Sequence, residues 1–166
     1  MESPLDYLTG VEVGLDSNAR KNRSGNFMED AIDEVLAGIL SANPNYRRLS
    51  QKQFKYLQRQ FGIPISNGLR ERKFDEAVFN DDFGVNIESN FYGGTGSKPS
   101  EIVESYISRK KELQQMGWGF VWITDGDGWR KMRNQLRRGL ENFDFALNLN
   151  MVAKGLLEKI LLKGGK

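Results

Sequence analysis

Residues 73–98 read KFDEAVFNDDFGVNIESNFYGGTGSK. The runs KFDEAVF and VNIESNFY are rich in Val, Ile, Phe and Tyr, and NDDFG between them is a turn signal. Residues 73–92 therefore read as a β-hairpin, with a glycine-rich loop after it. The second run alternates: Val85, Ile87, Ser89 and Phe91 face one way, and Asn86, Glu88, Asn90 and Tyr92 face the other. The first set suits a core and the second suits chemistry. A four-residue loop, Asp81 to Gly84, pairs Asn80 with Val85 and sets Asp75 opposite Asn90, with Glu88 on the diagonal at roughly 7–8 Å. Two carboxylates at that range, with an amide beside them, can hold a hard divalent cation such as Mg²⁺. An odd loop or a bulge would part them. The plain alternative is a solvated polar face, because paired acids on hairpins are common.

Composition narrows the chemistry. The 166 residues suit one domain, 1–166, that buries roughly 70% of its unfolded surface. There is no histidine and no cysteine, which excludes Ser-His triads, His-ligated metals, zinc–thiolate sites, thiol catalysis and disulfides. An enzyme built from this chain works with carboxylates, Lys, Tyr or a metal-bound water. No apolar run reaches the ~20 residues of a membrane span, and the N-terminus lacks the pattern of a secretory signal, so a cytoplasmic location is expected. The net charge of +2 sets up no global field, and any nucleic-acid contact must come from local clusters.

Upstream of the hairpin, VEVGL near residue 11 is a possible edge strand. Arg20, Lys21 and Arg23 precede a helix expected over about 27–40, and read either as solvated loop cations or as a phosphate clamp at a helix N-terminus. Met28, Ile32, Val35 and Ile39 form the apolar stripe of that helix, with Glu29 and Asp33 at its edge and Asp30 and Glu34 solvated. Glu29 has two readings: the far half of an Asn26-x-x-Glu29 capping box, or an acid projecting toward the metal site. Residues 41–49 read as a loop. Ser50 and Gln53 fit a second capping box before a short helix with Phe54, Leu57 and Phe61, closed by Gly62.

Downstream, YGGTGSKPSE does not satisfy the G-x-x-x-x-G-K-[ST] pattern, so nucleoside triphosphate binding is rejected. Pro99 opens a crossover helix over about 99–116. WGFVWIT, 118–124, is nearly continuously apolar and reads as a central strand covered on both faces, and the helix before it permits a parallel crossover. Trp129, Met132, Leu136 and Leu140 stripe a basic helix over about 129–140 that also carries Arg130, Arg133 and Arg137. A C-terminal helix is expected over about 151–162, packing on the core or on another subunit, before a frayed GGK end. The expected fold is α/β, with a mixed central sheet, the hairpin within it and helices on its flanks.

Asp75, Glu88 and Asn90 fit Asp–x(n)–(Glu/Asp)–x–Lys with Asn90 in place of the Lys, which resembles the PD-(D/E)XK nuclease superfamily. Three segments together resemble the DpnII/MboI family of type II restriction endonucleases: GVEVGLDSNARKNRSGNFMED, the hairpin through KPSE, and FVWITDGDGWRKMRNQL. The likeness covers roughly residues 10–150, although family members usually carry a further region before the segment that here begins at residue 10.

The resemblance implies a PD-(D/E)XK restriction-endonuclease-like core and Mg²⁺-dependent cleavage of double-stranded DNA at a short site. Several members recognise GATC, a candidate target here. By motif, Asp75 and Glu88 ligate the metal, Asn90 takes the Lys position, and Glu29 is the acid from the first helix. Arg20, Lys21, Arg23, Lys98, Arg130 and Arg133 are the expected DNA contacts, and Asn67, Arg70 and Arg72 are candidates for base readout. A palindromic site implies a homodimer, with the C-terminal helix as one interface, and a restriction system implies a cognate DNA methyltransferase. Three alternatives stay open: a structure-selective or repair nuclease of the same fold, a non-catalytic DNA-binding module, and a structural protein.

Overall fold

The computed structural model describes residues 25–93 and 99–165. Its elements run α1 (Gly25–Ala42), β1 (Arg47–Ser50), α2 (Phe54–Phe61), β2 (Glu76–Phe79), β3 (Gly84–Phe91), α3 (Pro99–Gln115), β4 (Gly119–Asp125), a 3₁₀ turn (Asp127–Lys131), α4 (Arg133–Asn142), β5 (Phe145–Leu147), α5 (Leu149–Ala153) and α6 (Leu156–Leu162). Among the described residues, five strands form one open mixed sheet in the order β1-β2-β3-β4-β5. β1, β2 and β3 pair antiparallel, while β3–β4 and β4–β5 are parallel, with α3 as the crossover between β3 and β4.

The alternation read in β3 decides the layering. Val85 and Ile87 join Val121, Ile123 and Leu147 under α1, α5 and α6. On the opposite face, Ala77, Phe79, Phe120 and Trp122 pack against α2, α3 and α4. β4 is covered on both sides, as its continuous apolar run requires. No helix among the described residues is long and apolar enough to cross a membrane.

Several expectations need correction. The hairpin loop is 80–83 rather than 81–84, because Phe79 pairs with Gly84 and Val78 with Val85. Asn80 stabilises this turn: its Oδ1 accepts from the backbone N–H groups of Asp82 (2.8 Å) and Phe83 (2.9 Å). The shift is two residues in register, so parity survives, but continuing the ladder sets Asp75 opposite Glu88 rather than Asn90. The polar face of β3 is also not open to solvent, since Asn86 and Glu88 lie buried beneath α3.

Residues 47–50 form an edge strand where a loop was expected, held by pairing to β2 although four residues carry little alternation of their own. The Ser50–Gln53 capping box does not form: Gln53 makes no side-chain cap bond, and Ser50 Oγ donates instead to Glu76 Oε2 at 2.7 Å. The basic helix is divided into the 3₁₀ turn and α4, so Arg130 and Arg133 do not share a helix. Residues 145–162 hold a strand and two short helices, broken at Gly155, whose positive φ of 84° suits a residue without Cβ. The apolar residues Leu157, Ile160 and Leu161 are buried on the chain's own core, leaving Leu162 exposed. Gly164 and Gly165 are not frayed. Their N–H groups bond Leu161 O and Ile160 O, both at 2.9 Å, and close α6 with a Schellman motif.

Candidate active site

The site grows from the point where β2 leaves β3. β2 begins at Glu76, so the N–H of Ser89 finds no strand backbone beside it and bonds Asp75 Oδ2 at 2.9 Å. A backbone N–H of a paired strand lies in the sheet, so the Asp75 carboxylate sits at the sheet's level, taking the place of a missing ladder bond. Gln51 Nε2 holds its other oxygen at 3.2 Å. The backbone N–H of Asp75 in turn donates to Glu88 Oε1 at 3.2 Å. The link between the two residues thus runs through the Asp75 main chain and not through its carboxylate.

Glu88 projects to the α3 side and is 4% exposed. Asn86 Nδ2 donates to its Oε1 at 2.9 Å, and Arg109 Nη1 of α3 forms an ion pair with the same oxygen. None of these contacts falls on Oε2. Burial pushes the Glu88 carboxyl up to about 7; Arg109 opposes that rise and the Asp75 charge adds to it.

Asn90 is held by two side chains of the fold. Its Oδ1 accepts from Trp122 Nε1 at 3.0 Å and its Nδ2 donates to the Tyr92 hydroxyl oxygen at 3.2 Å. The TDG-x-GW segment completes a lock on this strand end. Thr124 Oγ1 donates to Asn90 O (3.1 Å) and accepts from Trp129 Nε1 (2.8 Å), and the Gly128 N–H bonds Tyr92 O at 2.8 Å. Gly126, at φ 114°, lies so close to Tyr92 that a Cβ would collide with its carbonyl oxygen.

Beside the sheet, a cleft opens between α1 and the β1–β2–β3 end, lined by Glu29, Asp30, Asp33, Asp75, Glu76 and Ser89 among others. Glu29 and Asp75 therefore share one cavity, while Glu88 stands behind it. Asp30, read as solvated, also lines the cleft. Glu76 is engaged by Arg48, whose Nε and Nη2 reach Oε2 and Oε1 at 2.9 and 2.7 Å, and Arg48 also pairs with Asp33 of α1. This fastens α1 to the sheet. Arg130 and Arg133 are exposed, whereas Arg72 leans on α3 through Ser105 O at 3.4 Å. Arg20, Lys21, Arg23, Lys98 and the VEVGL run lie outside the described residues, as does the Asn26 side chain of the capping box.

Sequence reasoning missed Arg109, Asn86 and Arg48. Arg109 had a signal: Ile102, Tyr106, Arg109 and Leu113 are spaced i, i+4, i+7, i+11, which places a cation in an apolar row. Among the described residues, no group of three or more acidic side chains is arranged to hold a metal ion. The oxygen donors the chain offers here are the carboxylates of Asp75 and Glu88, linked through the Asp75 main-chain N–H. That set fits Mg²⁺, which takes oxygen ligands and is commonly held by one or two carboxylates together with water and substrate phosphates.

An open mixed sheet with α1 on one face and the crossover helix α3 on the other is the architecture of a restriction-endonuclease-like core. The chain belongs to the DpnII restriction endonuclease family, whose model matches residues 1–159. It is 38% identical over 161 residues to the type II restriction enzyme MjaIII of Methanocaldococcus jannaschii, covering 95% of this chain and 56% of that protein. It is 34% identical over 163 residues to the type II restriction enzyme DpnII of Streptococcus pneumoniae, covering 94% and 56%. With the type II restriction enzyme MboI of Moraxella bovis it shares 31% identity over 161 residues, covering 96% and 54%. The chain thus spans about half the length of the curated relatives it matches.

Proposed function

We propose that this chain carries the catalytic centre of a type II restriction endonuclease that hydrolyses double-stranded DNA at a short site, with GATC as the candidate target and Mg²⁺ as the cofactor. The observation that carries the reading is the contact between the hairpin's two acids: the Asp75 N–H on Glu88 Oε1. Family membership and the named relatives support the reaction class.

Asp75 and Glu88 would hold the metal. When bound, Mg²⁺ supplies Lewis-acid polarisation of a phosphoryl oxygen and lowers the pKa of water. The chain's own residues do the rest. Ser89 and Gln51 orient the Asp75 carboxylate, and Asn86 and Arg109 orient that of Glu88. Glu29, on α1 over the same cleft as Asp75, would orient the attacking water. Water adds to phosphorus as the bond to the leaving oxygen breaks, which leaves one phosphate end and one hydroxyl end. Arg20, Lys21, Arg23, Lys98, Arg130 and Arg133 would contact DNA phosphates. We place the enzyme in the cytoplasm as a homodimer with a cognate methyltransferase. Since the core absorbs the apolar face of α6, the dimer would form elsewhere than on that face.

The test is incubation with plasmid DNA and Mg²⁺, followed by sequencing of the ends. Discrete ends at one short sequence support the reading, and intact DNA rejects it. One observation favours a second reading, a DNA-binding module without cleavage: Glu88 is already paired with Arg109. In that case Glu88→Gln would leave DNA binding and its metal response unchanged.

A further inference from the structure

We propose that Arg109 is the positioning cation of this site, reaching Glu88 through space from α3, and that Asn90, despite its place in the motif, is a structural lock. The inference rests on the reading above that Glu88 belongs to the reaction centre.

Asn90 is spent: its acceptor serves Trp122 and its donor serves Tyr92. An amide so held carries no charge, and its recorded bonds go to Trp122 and Tyr92 rather than to the Glu88 carboxylate. The cation that does meet Glu88 is Arg109, itself only 7% exposed. Its guanidinium is fixed from several sides. Nη2 donates to Lys73 O at 3.0 Å, and the Phe54 and Tyr106 rings flank Cζ at 5.8 and 5.7 Å. Lys73 lies two residues before Asp75. One side chain thereby ties the approach to the first acid and the carboxylate of the second. Because the pair engages Oε1, Oε2 is left clear of these contacts. An arginine buried this deeply is costly unless paired, and removing it would leave Glu88 buried without a counter-charge. The carboxylate would then lose the contact that fixes Oε1, and with it the placement of Oε2.

The test compares Arg109→Met, Arg109→Lys, Glu88→Gln and the Glu88→Gln/Arg109→Met pair with the parent chain, with circular dichroism and melting curves on each. Two readouts are taken: Mg²⁺ titration calorimetry without DNA, and single-turnover cleavage of a GATC duplex beside metal-free DNA affinity. Arg109→Met should weaken Mg²⁺ binding and slow cleavage by roughly 10–100-fold, the range for residues that orient metal ligands, with DNA affinity unchanged within about twofold. Arg109→Lys should recover most of that loss. Adding Arg109→Met to Glu88→Gln should cost nothing further. If Arg109→Met does not fold, Arg109→Lys alone should still slow cleavage, by about two- to threefold, since an ammonium cannot span Lys73 O and Glu88 together. Parent-like behaviour of Arg109→Met, tighter Mg²⁺ binding by it, or an undiminished loss on the Glu88→Gln background would each overturn the inference. A Glu88→Gln variant that cuts and binds Mg²⁺ like the parent would instead overturn the reading of the site beneath it.

Discussion

Asp75 and Glu88 meet through a main-chain donor and not through a shared open face. Each is set by a different force: Asp75 by an N–H that the sheet leaves unpaired, Glu88 by burial against a cation. Replacing Asp75 by Ala removes the cap on Ser89 as well as a proposed metal ligand, so cleavage should fall by at least about 100-fold in single-turnover assays, with metal-free DNA binding retained.

The raised Glu88 carboxyl has a testable sign. Its proton is bound more tightly in the folded chain, up to about 7, than in the unfolded one, where the ordinary value is 4.5. Its contribution to stability therefore declines as pH rises from about 4.5 to about 7. Urea unfolding at pH 5 and pH 8 should show the parent losing more stability over that interval than Glu88→Gln. Conversely, if Glu88 holds Mg²⁺ as proposed, the metal needs its carboxylate, and calorimetric Mg²⁺ affinity should climb as pH rises through 7. A flat profile would mean that Glu88 is not a ligand.

At the scale of elements, the end of β3 is fastened by β4 and the segment that follows it. Trp122, Thr124, Gly128 and Trp129 hold Asn90 and Tyr92, and the two tryptophan rings meet edge to face at 5.5 Å. Asn90→Ala would strip partners from Trp122 Nε1 and the Tyr92 hydroxyl. A loss of about 1–3 kcal/mol is expected by urea titration, with Mg²⁺ affinity preserved. Gly126→Ala meets both a positive φ and the Tyr92 carbonyl, and should destabilise by at least 1–3 kcal/mol, on the order of a strained backbone residue. The lock was half visible beforehand. The VWITDG-x-GW residues stood out by resemblance, but indole and amide partners come from strands whose pairing no local pattern announces.

For the molecule as a whole, two layers of helices leave the sheet covered, and the acidic cleft sits at its β1–β2–β3 end beneath the start of α1. The C-terminal segment belongs to this core. Leu161→Ala, at a fully buried position, should cost about 2–5 kcal/mol in chemical denaturation without altering the sedimentation coefficient. A change in association state instead would show that α6 also serves an interface.

The composition and patterning of the chain alone set the chemistry available, oxygen ligands without imidazole or thiol. They also set the two faces of β3, the buried β4 and the crossover between them. Periodicity carries that information because burial repeats along a strand or a helix. Tertiary structure alone decided the hairpin register, the strand at Arg47–Ser50, the division of the basic and C-terminal helices, and the partners of Glu88 and Asn90. Each of these depends on groups far apart in sequence competing for one hydrogen bond or one buried charge, and such a competition is settled only when the elements pack.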